Sequence, residues 1–425
     1  MWPRKAEHLK GPFFLDSFAW RQSFILDWMD GEALTLAPKP LMPIKQFPSE
    51  WMTDEHQMLM ASAQRFFKER WCPLDEQWRQ AGIMPRSAWL EAGAQGFLCA
   101  SMPEAYGGAG GDFGHEAALL LAQGLCGLSG FGGSLHSAIV APYILHFGTE
   151  EQKQRWLPKM ATGELIGAIA MTEPGTGSDL QGVRTQAVKE GDNYRLNGSK
   201  TFITNGGLAN LLLVVAKTDL KAGAQGISLM VVETDAAPGF RRGRLLDKIG
   251  MASQDTSELF FDDVVIPREN LLGGQEGMGF FQLMQELPQE RMIVALTGVA
   301  AMELAMDLTL QYTKERHAFG KPVFSFQNTR FKLAECQATL MASRTMVDAA
   351  MAAHLRGELG VERAALIKFW VSDHQCKVLD ECLQLFGGYG YMKEYPIARL
   401  WTDARVQRIY GGTNEIMKEL ASRFL

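Results

Sequence analysis

The sequence predicts an α+β fold of three parts: an N-terminal helical domain, a central β-rich domain and a C-terminal helical bundle. Three observations predict it. Apolar residues recur at helical spacing through the first third of the chain. Strand-like runs and Asn-Gly turns replace that pattern near residue 166. Beyond Met278 come long alanine- and leucine-rich segments nearly free of proline. The expected limits are 46–165, 166–276 and 277–425, after an N-terminal extension at 1–45; 425 residues exceed one compact domain.

In the extension, Phe13, Phe14, Phe18, Trp20, Phe24 and Trp28 make a greasy patch interrupted by Asp16, Asp27 and Asp30. The acids fit neither a secretory h-region nor an acid-poor transit peptide. Two readings stay open: an extra helix covering the body, or a start codon placed too early, with Met42 as a later start.

Residues 53–70 set Met58, Leu59, Ala63, Phe66 and Phe67 at helical spacing, and 86–99, 114–125 and 149–161 read alike. Asn193–Leu196 and Lys200–Ile203 flank Asn197-Gly198, a strong hairpin signal. Leu211–Ala216, Gly226–Glu233 and Ser257–Ile266 read as further strands. Segments 279–315, 326–355 and 361–385 predict bundle helices.

Bulk properties exclude several classes. A net charge of −6 argues against a general nucleic-acid binder. Six cysteines without a Cys-x-x-Cys pair read as reduced core residues. None of the eight histidines makes a His-x-x-x-His or His-Glu-x-x-His pattern, so no metal site is expected. No run of about 18 apolar residues exists, so no membrane span is expected.

Five segments carry chemistry. Met171–Leu180 is a polar glycine-rich loop in which Thr172, Thr176 and Ser178 offer hydroxyls beside free N–H groups; it reads as the edge of a ring-binding site or as a decorated turn. Alternation along Gly198–Gly206 puts Phe202 and Thr204 on one face and Ile203 on the other, for stacking on a ring or for burial in a core. Arg316–Pro322, followed by Gln327, sets Arg316 and Lys321 at a helix break, where they suit a pyrophosphate or simply solvent. Gln384–Gly390 ends a long helix in glycines, as a C-cap would. Finally Gly411 and Gly412 precede Thr413, an N-cap for a last helix, and bring bare backbone to its positive end. Such a turn suits a phosphate or a polarised carbonyl oxygen.

In this order, and ending in Tyr410–Glu415, these segments resemble the acyl-CoA dehydrogenase family from about Phe47 to Phe424. The resemblance implies FAD held between the β domain and the C-terminal helices. Met171, Thr172, Gly177 and Ser178, with Phe202, Ile203 and Thr204, would flank its ring, and Thr413, Asn414 and Glu415 would close over it. Arg316, Phe319, Gln327, Gln384, Gly387 and Gly388 would reach the FAD of a neighbouring subunit, which implies a homotetramer, a dimer of dimers. Ser178, Phe281, Gln289, Arg291, Gly411 and Gly412 would contact an acyl-CoA substrate. An electron-transferring flavoprotein would accept the electrons. A cytoplasmic location is expected in a bacterium, or the mitochondrial matrix in a eukaryote.

The implied reaction removes a weakly acidic α-proton while the β-hydrogen leaves as hydride, so it needs a carboxylate base and donors for the enolate-like oxygen. Many family members carry that glutamate directly after the tyrosine matching Tyr410, where this chain has Gly411. In long-chain and isovaleryl members it comes from the helix that starts the C-terminal domain. Glu286–Arg291 stands there and resembles the long-chain type, so Glu290 matches the base, with Glu286 as its rival, and Arg291 matches a CoA contact. Burial should raise the pKa of Glu290. Pro288 should bend the helix. The resemblance thus implies FAD-dependent α,β-dehydrogenation of medium- to long-chain acyl-CoA in fatty-acid β-oxidation. Competing readings are a flavin oxidase or monooxygenase, a branched-chain acyl-CoA dehydrogenase, and a non-catalytic scaffold.

Overall fold

Thr53, Asp112 and Thr149 each start a helix of the N-terminal part in the same way. Asp54–Phe66, Phe113–Leu125 and Glu150–Ala161 all open with a capping box, whose reciprocal partners are His56, His115 and Gln152. Each box satisfies two backbone donors that a helix start would leave unpaired. The computed structural model describes Phe47 and residues 49–425, so the extension at 1–45 lies outside the described residues. Arg86–Ala94 is shorter than the periodicity predicts, and Asp75–Ala81 and Ala141–Phe147 are helices the periodicity did not single out.

A buried histidine joins the helical part to the sheet. His136, in a π-turn at His136–Val140, accepts from Gly167 N at Nδ1 (2.9 Å) and meets Met160 O at Nε2 (3.0 Å). Accepting at Nδ1 fixes the neutral Nε2–H tautomer. Burial accordingly lowers its pKa to about 4.

Seven strands form the central sheet: β1 Gly167–Ala170, β2 Gln186–Glu190, β3 Asn193–Thr204, β4 Leu211–Lys217, β5 Ile227–Glu233, β6 Phe240–Leu245 and β7 Thr256–Pro267. They run in the order β1-β4-β2-β3-β7-β6, with β5 also paired to β4. β4 is buried along its whole length, which is why it reads as an unbroken apolar run instead of an alternation.

The hairpin expected at Asn197-Gly198 is not there. β3 runs straight through it with a bulge against β7, and the tight turn lies at Gly191-Asp192, between β2 and β3. The Asn197 amide instead donates to Asp263 Oδ1 (3.0 Å) and accepts from Asp263 N (2.8 Å). Gly198 is required because a Cβ there would sit 2.4 Å from Thr185 Oγ1. Close approach to a neighbouring strand, not a reversal, accounts for this glycine.

The C-terminal bundle is built on Gly279–Glu315, Gln327–Leu355 and Val361–Leu385, followed by Pro396–Ala404 and Asn414–Ser422. Helix Gly279–Glu315 continues through Pro288 without a break. Among the described residues it alone is long and apolar enough to cross a bilayer. Met292, Leu296, Val299 and Met302 are buried in the core it shares with Leu340, Val371 and Leu379, so protein covers most of its apolar window. At Gly298 a Cβ would lie 2.7 Å from Val371 Cγ1, so this glycine sets how closely two bundle helices approach.

Candidate active site

Glu290 and Arg291 are both buried in the long helix Gly279–Glu315, where neighbouring positions point in different directions. Glu290 Oε1 accepts a 2.9 Å hydrogen bond from the Tyr143 hydroxyl, itself wholly buried. Burial raises the Glu290 carboxyl to about 7, against the pull of the Tyr143 hydrogen bond and the Arg291 charge; Glu286 adds to the rise. Arg291 Nε is buried without an acceptor among the described residues, and burial lowers its pKa. A buried guanidinium donor without a partner is costly, and a ligand oxygen is the natural group to satisfy it.

Glu286, also buried, is differently occupied. Its Oε1 lies 2.7 Å from His146 Nδ1, and that contact raises the histidine's pKa. Gln289 is engaged at both ends of its amide: Nε2 donates to Ala138 O (2.8 Å) and Oε1 meets His354 Nε2 (3.0 Å). The structure therefore gives Gln289 a bracing role between the helical part and the bundle. Phe281 is exposed.

The glycine turn lies against the same helix. A Cβ at Gly411 (φ +63°) would sit 3.3 Å from Val294 Cγ2, one helical turn beyond Glu290. Thr413 caps the last helix as expected, accepting from Ile416 N at 3.3 Å. What holds the turn is Lys368, which sequence reasoning missed. This fully buried lysine donates to Gly412 O (2.7 Å) and Asn414 Oδ1 (2.9 Å). Asn414 also donates to Ser372 Oγ and Asp373 Oδ1 (2.9 Å each). Asn414 is thus buried and spent on anchoring, while Glu415 is exposed. Burial, then the Arg291 charge, lowers Lys368 to about 8. The signal for it was a lone lysine in the apolar run Ala364–Val371.

The loop at 171–178 is pinned to β3. Thr201 N donates to Thr172 O (2.9 Å), and the buried Lys200 donates to Met171 O (3.0 Å) and Glu173 Oε1 (2.9 Å). Glu173 also accepts from Arg184 N (2.7 Å) and Thr185 N (2.9 Å). Burial pushes Glu173 up, but Lys200 and these donors outweigh it and hold the carboxyl below its ordinary range. Lys200 itself is lowered to about 8 by burial.

Next to this loop, a bulge between Lys200 and Ile203 throws Phe202 into a left-handed φ of +58° and leaves it 68% exposed, while Ile203 goes inward. The reading of Phe202 as a buried core aromatic is overturned by this bulge. A Cβ at Gly175 would meet nothing within 4 Å, and at Gly177 only Thr172 Cγ2 at 3.8 Å; Ser178 is exposed. An outward aromatic beside an uncrowded, polar glycine loop fits the flat heteroaromatic ring of a flavin.

The third expected group stands apart. Arg316, Gly387 and Gly388 line a groove of about 470 Å³ with Tyr312, Phe386 and Tyr389. Phe319 is 95% exposed at φ +53°, and Gln327 and Gln384 are exposed. The helix separates Glu290 from Glu315, next to Arg316, by about 38 Å. Within one chain this group does not join the other two.

Three family models match the chain in succession: acyl-CoA dehydrogenase N-terminal domain at 53–164, middle domain at 168–264 and C-terminal domain at 277–425. The chain is 49% identical over 373 residues to the mitochondrial long-chain specific acyl-CoA dehydrogenase of Sus scrofa, covering 87% of this chain and 86% of that one. The crystal structure of an acyl-CoA dehydrogenase from Geobacillus kaustophilus superposes with a TM-score of 0.87 at 48% identity, over 89% of this chain and 99% of that one. A glutaryl-CoA dehydrogenase from Mycobacterium smegmatis in complex with FADH2 gives 0.82 at 28% identity, over 88% and 95%.

Proposed function

Because the chain belongs to the acyl-CoA dehydrogenase family of flavin-dependent oxidoreductases, we propose that it converts an acyl-CoA thioester to the trans-2-enoyl-CoA with Glu290 as the base. When bound, FAD supplies the acceptor for the β-hydride. Met171, Thr172, Gly177 and Ser178, with Phe202, Ile203 and Thr204, would hold its ring, beneath the segment Thr413–Glu415.

One observation carries the choice of base: Glu290 is buried, among the described residues its carboxylate accepts a side-chain hydrogen bond only from the Tyr143 hydroxyl, and its carboxyl is raised to about 7. A base in that range matches the proton affinity that α-proton abstraction at neutral pH requires. Glu286 is the weaker candidate because His146 already occupies it. The Gly411–Gly412 backbone donates to the thioester oxygen and favours the enolate-like form. Arg291 donates to an oxygen of the CoA portion, while Ser178 and Phe281 contact the substrate at the rim. Gln289 acts indirectly, by bracing the helix that carries Glu290.

The same family membership supports electron-transferring flavoprotein as the electron acceptor. It also supports a homotetramer, in which Arg316, Phe319, Gln327, Gln384, Gly387 and Gly388 serve the FAD of a neighbouring subunit. Their remoteness from Glu290 favours that arrangement. We assign medium- to long-chain substrates of fatty-acid β-oxidation, on the long-chain relative from Sus scrofa. The assigned compartment is the cytoplasm of a bacterium or a mitochondrial matrix.

The test is anaerobic bleaching of the flavin by acyl-CoAs of graded length and branching. Glu290→Gln should keep FAD and lose about 10²–10⁴-fold in bleaching rate. Normal bleaching by Glu290→Gln, together with loss in Glu286→Gln, would move the base to Glu286.

A further inference from the structure

We propose that His56, Asp112 and His115 form a binding site for a divalent transition-metal ion of the zinc class, which staples together the starts of helices Asp54–Phe66 and Phe113–Leu125. Their converging atoms make a small triangle: His56 Nε2 to Asp112 Oδ1 3.1 Å, His56 Nε2 to His115 Nδ1 3.2 Å, and His115 Nδ1 to Asp112 Oδ1 2.9 Å. No other group of three or more histidine, cysteine or acidic side chains converges in this way among the described residues.

Helix capping explains each residue alone but not the meeting of the three. Thr53 N donates to His56 Nδ1 (3.2 Å), so a neutral His56 carries its proton on Nε2. Asp112 N donates to His115 Nδ1 (3.0 Å), and Asp112 Oδ1 accepts from Gly114 N (2.9 Å). The His56 Nε2–H thus faces two acceptors, His115 Nδ1 and Asp112 Oδ1, which lie only 2.9 Å apart. Moving a proton onto His115 Nδ1 only transfers the conflict to the Asp112 N–H.

A cation held by all three atoms relieves the contact between the two acceptors, taking the His115 Nδ1 lone pair in place of the Asp112 N–H. Ligand atoms at about 2.0–2.2 Å from a metal, in octahedral to tetrahedral arrangement, stand about 2.8–3.6 Å from each other. The observed triangle falls at the short end of that range, as a 2-His-1-carboxylate face would. The displaced proton moves to His56 Nδ1, which lies 3.2 Å from Trp51 O and 3.1 Å from Thr53 Oγ1 as acceptors, and takes the place of the 3.2 Å bond that Nδ1 accepted from Thr53 N. The far nitrogen of His115 faces Glu55 Oε1 at 3.4 Å, the outer carboxylate that commonly orients a metal-bound imidazole. The Asp112 side chain is half exposed, so water can complete the coordination, and His56 is buried.

The experiment uses tag-free, flavin-loaded full-length protein, stripped with chelator and titrated with Co²⁺ and then Zn²⁺. One equivalent of metal per chain is expected, with visible Co²⁺ d–d absorption and a rise in Tm. His115→Gln keeps a capping-box residue at that position but removes the ring nitrogen; it should weaken binding at least about tenfold and abolish the Tm rise. Failure of the parent to take up Co²⁺, or uptake unchanged in His115→Gln with normal flavin absorbance, overturns the proposal. Should His115→Gln not fold, Asp112→Asn, which preserves the helix cap, decides by the same two outcomes.

Discussion

The Tyr143 hydroxyl donates a 2.9 Å hydrogen bond to Glu290 Oε1 from the helix that follows the π-turn at His136–Val140. Both groups are buried, so the bond acts where little water competes. It favours the carboxylate and opposes the burial that raises Glu290 to about 7.

Tyr143→Phe should therefore push the Glu290 carboxyl still higher. Activity needs the carboxylate, so the rise of kcat/KM with pH should lie near pH 7 in the parent and move to more alkaline pH in the variant. Activity well above the new midpoint should be largely retained. A pH profile of acyl-CoA turnover reads this directly; an unmoved midpoint would detach Tyr143 from the base.

The same raised carboxyl makes a stability prediction. Glu290 titrates near 7 when folded and near 4.5 ordinarily, so between these values the folded chain holds a proton that the unfolded chain releases. Stability must fall as pH rises through that window, with the full penalty present above pH 7. The difference corresponds to about 3 kcal/mol as an upper figure. Glu290→Gln lacks the titration, so it should gain stability relative to the parent on going from pH 4 to pH 8. Urea unfolding at both pH values checks the sign.

Much of this arrangement is legible in the sequence where local physics decides it. Segments 279–315 and 361–385 coincide with helices because a 3.6-residue apolar period persists over many turns and no competing signal interrupts it. Thr413 reads as a cap because the cap chemistry is contained within four residues. Asn197-Gly198 misleads because the same dipeptide serves a turn or a crowded crossing, and Thr185 makes it the latter. Glu290 stands in a short motif, whereas Tyr143, which tunes it, lies 147 positions away. His56 and His115, 59 positions apart, meet only because two helix starts are packed together, which no local spacing rule can register.

Lys368 yields a third prediction. Its ammonium ties Gly412 O and Asn414 Oδ1 to the helix Val361–Leu385, so the turn expected to face the thioester oxygen is held by one buried charge. Lys368→Met takes the ammonium from Gly412 O and leaves Asn414 Oδ1 with the Ser372 hydroxyl alone (3.1 Å), costing about 1–3 kcal/mol of stability. It should also slow flavin bleaching by acyl-CoA while leaving the pH midpoint set by Glu290 near its parent value. A lower kcat with a shifted midpoint would mean that Lys368 acts on the base, not on the turn.

The buried pair Lys200–Glu173 governs the loop proposed to hold the flavin ring. Lys200 joins Met171 O and Glu173 Oε1, and Glu173 in turn holds Arg184 N and Thr185 N, so the loop, β3 and the start of β2 are fixed through one carboxylate. Removing only the cation leaves a buried anion without its partner. Lys200→Met should cost about 3–5 kcal/mol and loosen the loop expected to hold the flavin ring. Glu173→Gln in that background removes the unpaired charge but keeps an acceptor for only one of the two backbone donors, since Arg184 N and Thr185 N use different carboxylate oxygens, so the double variant should recover part of the Tm. FAD retention on dilution separates the effects: it should drop in the single variant and return only in part in the double, because the Met171 anchor stays missing. Equal FAD retention in all three proteins would show that the ion pair stabilises the sheet without positioning the loop.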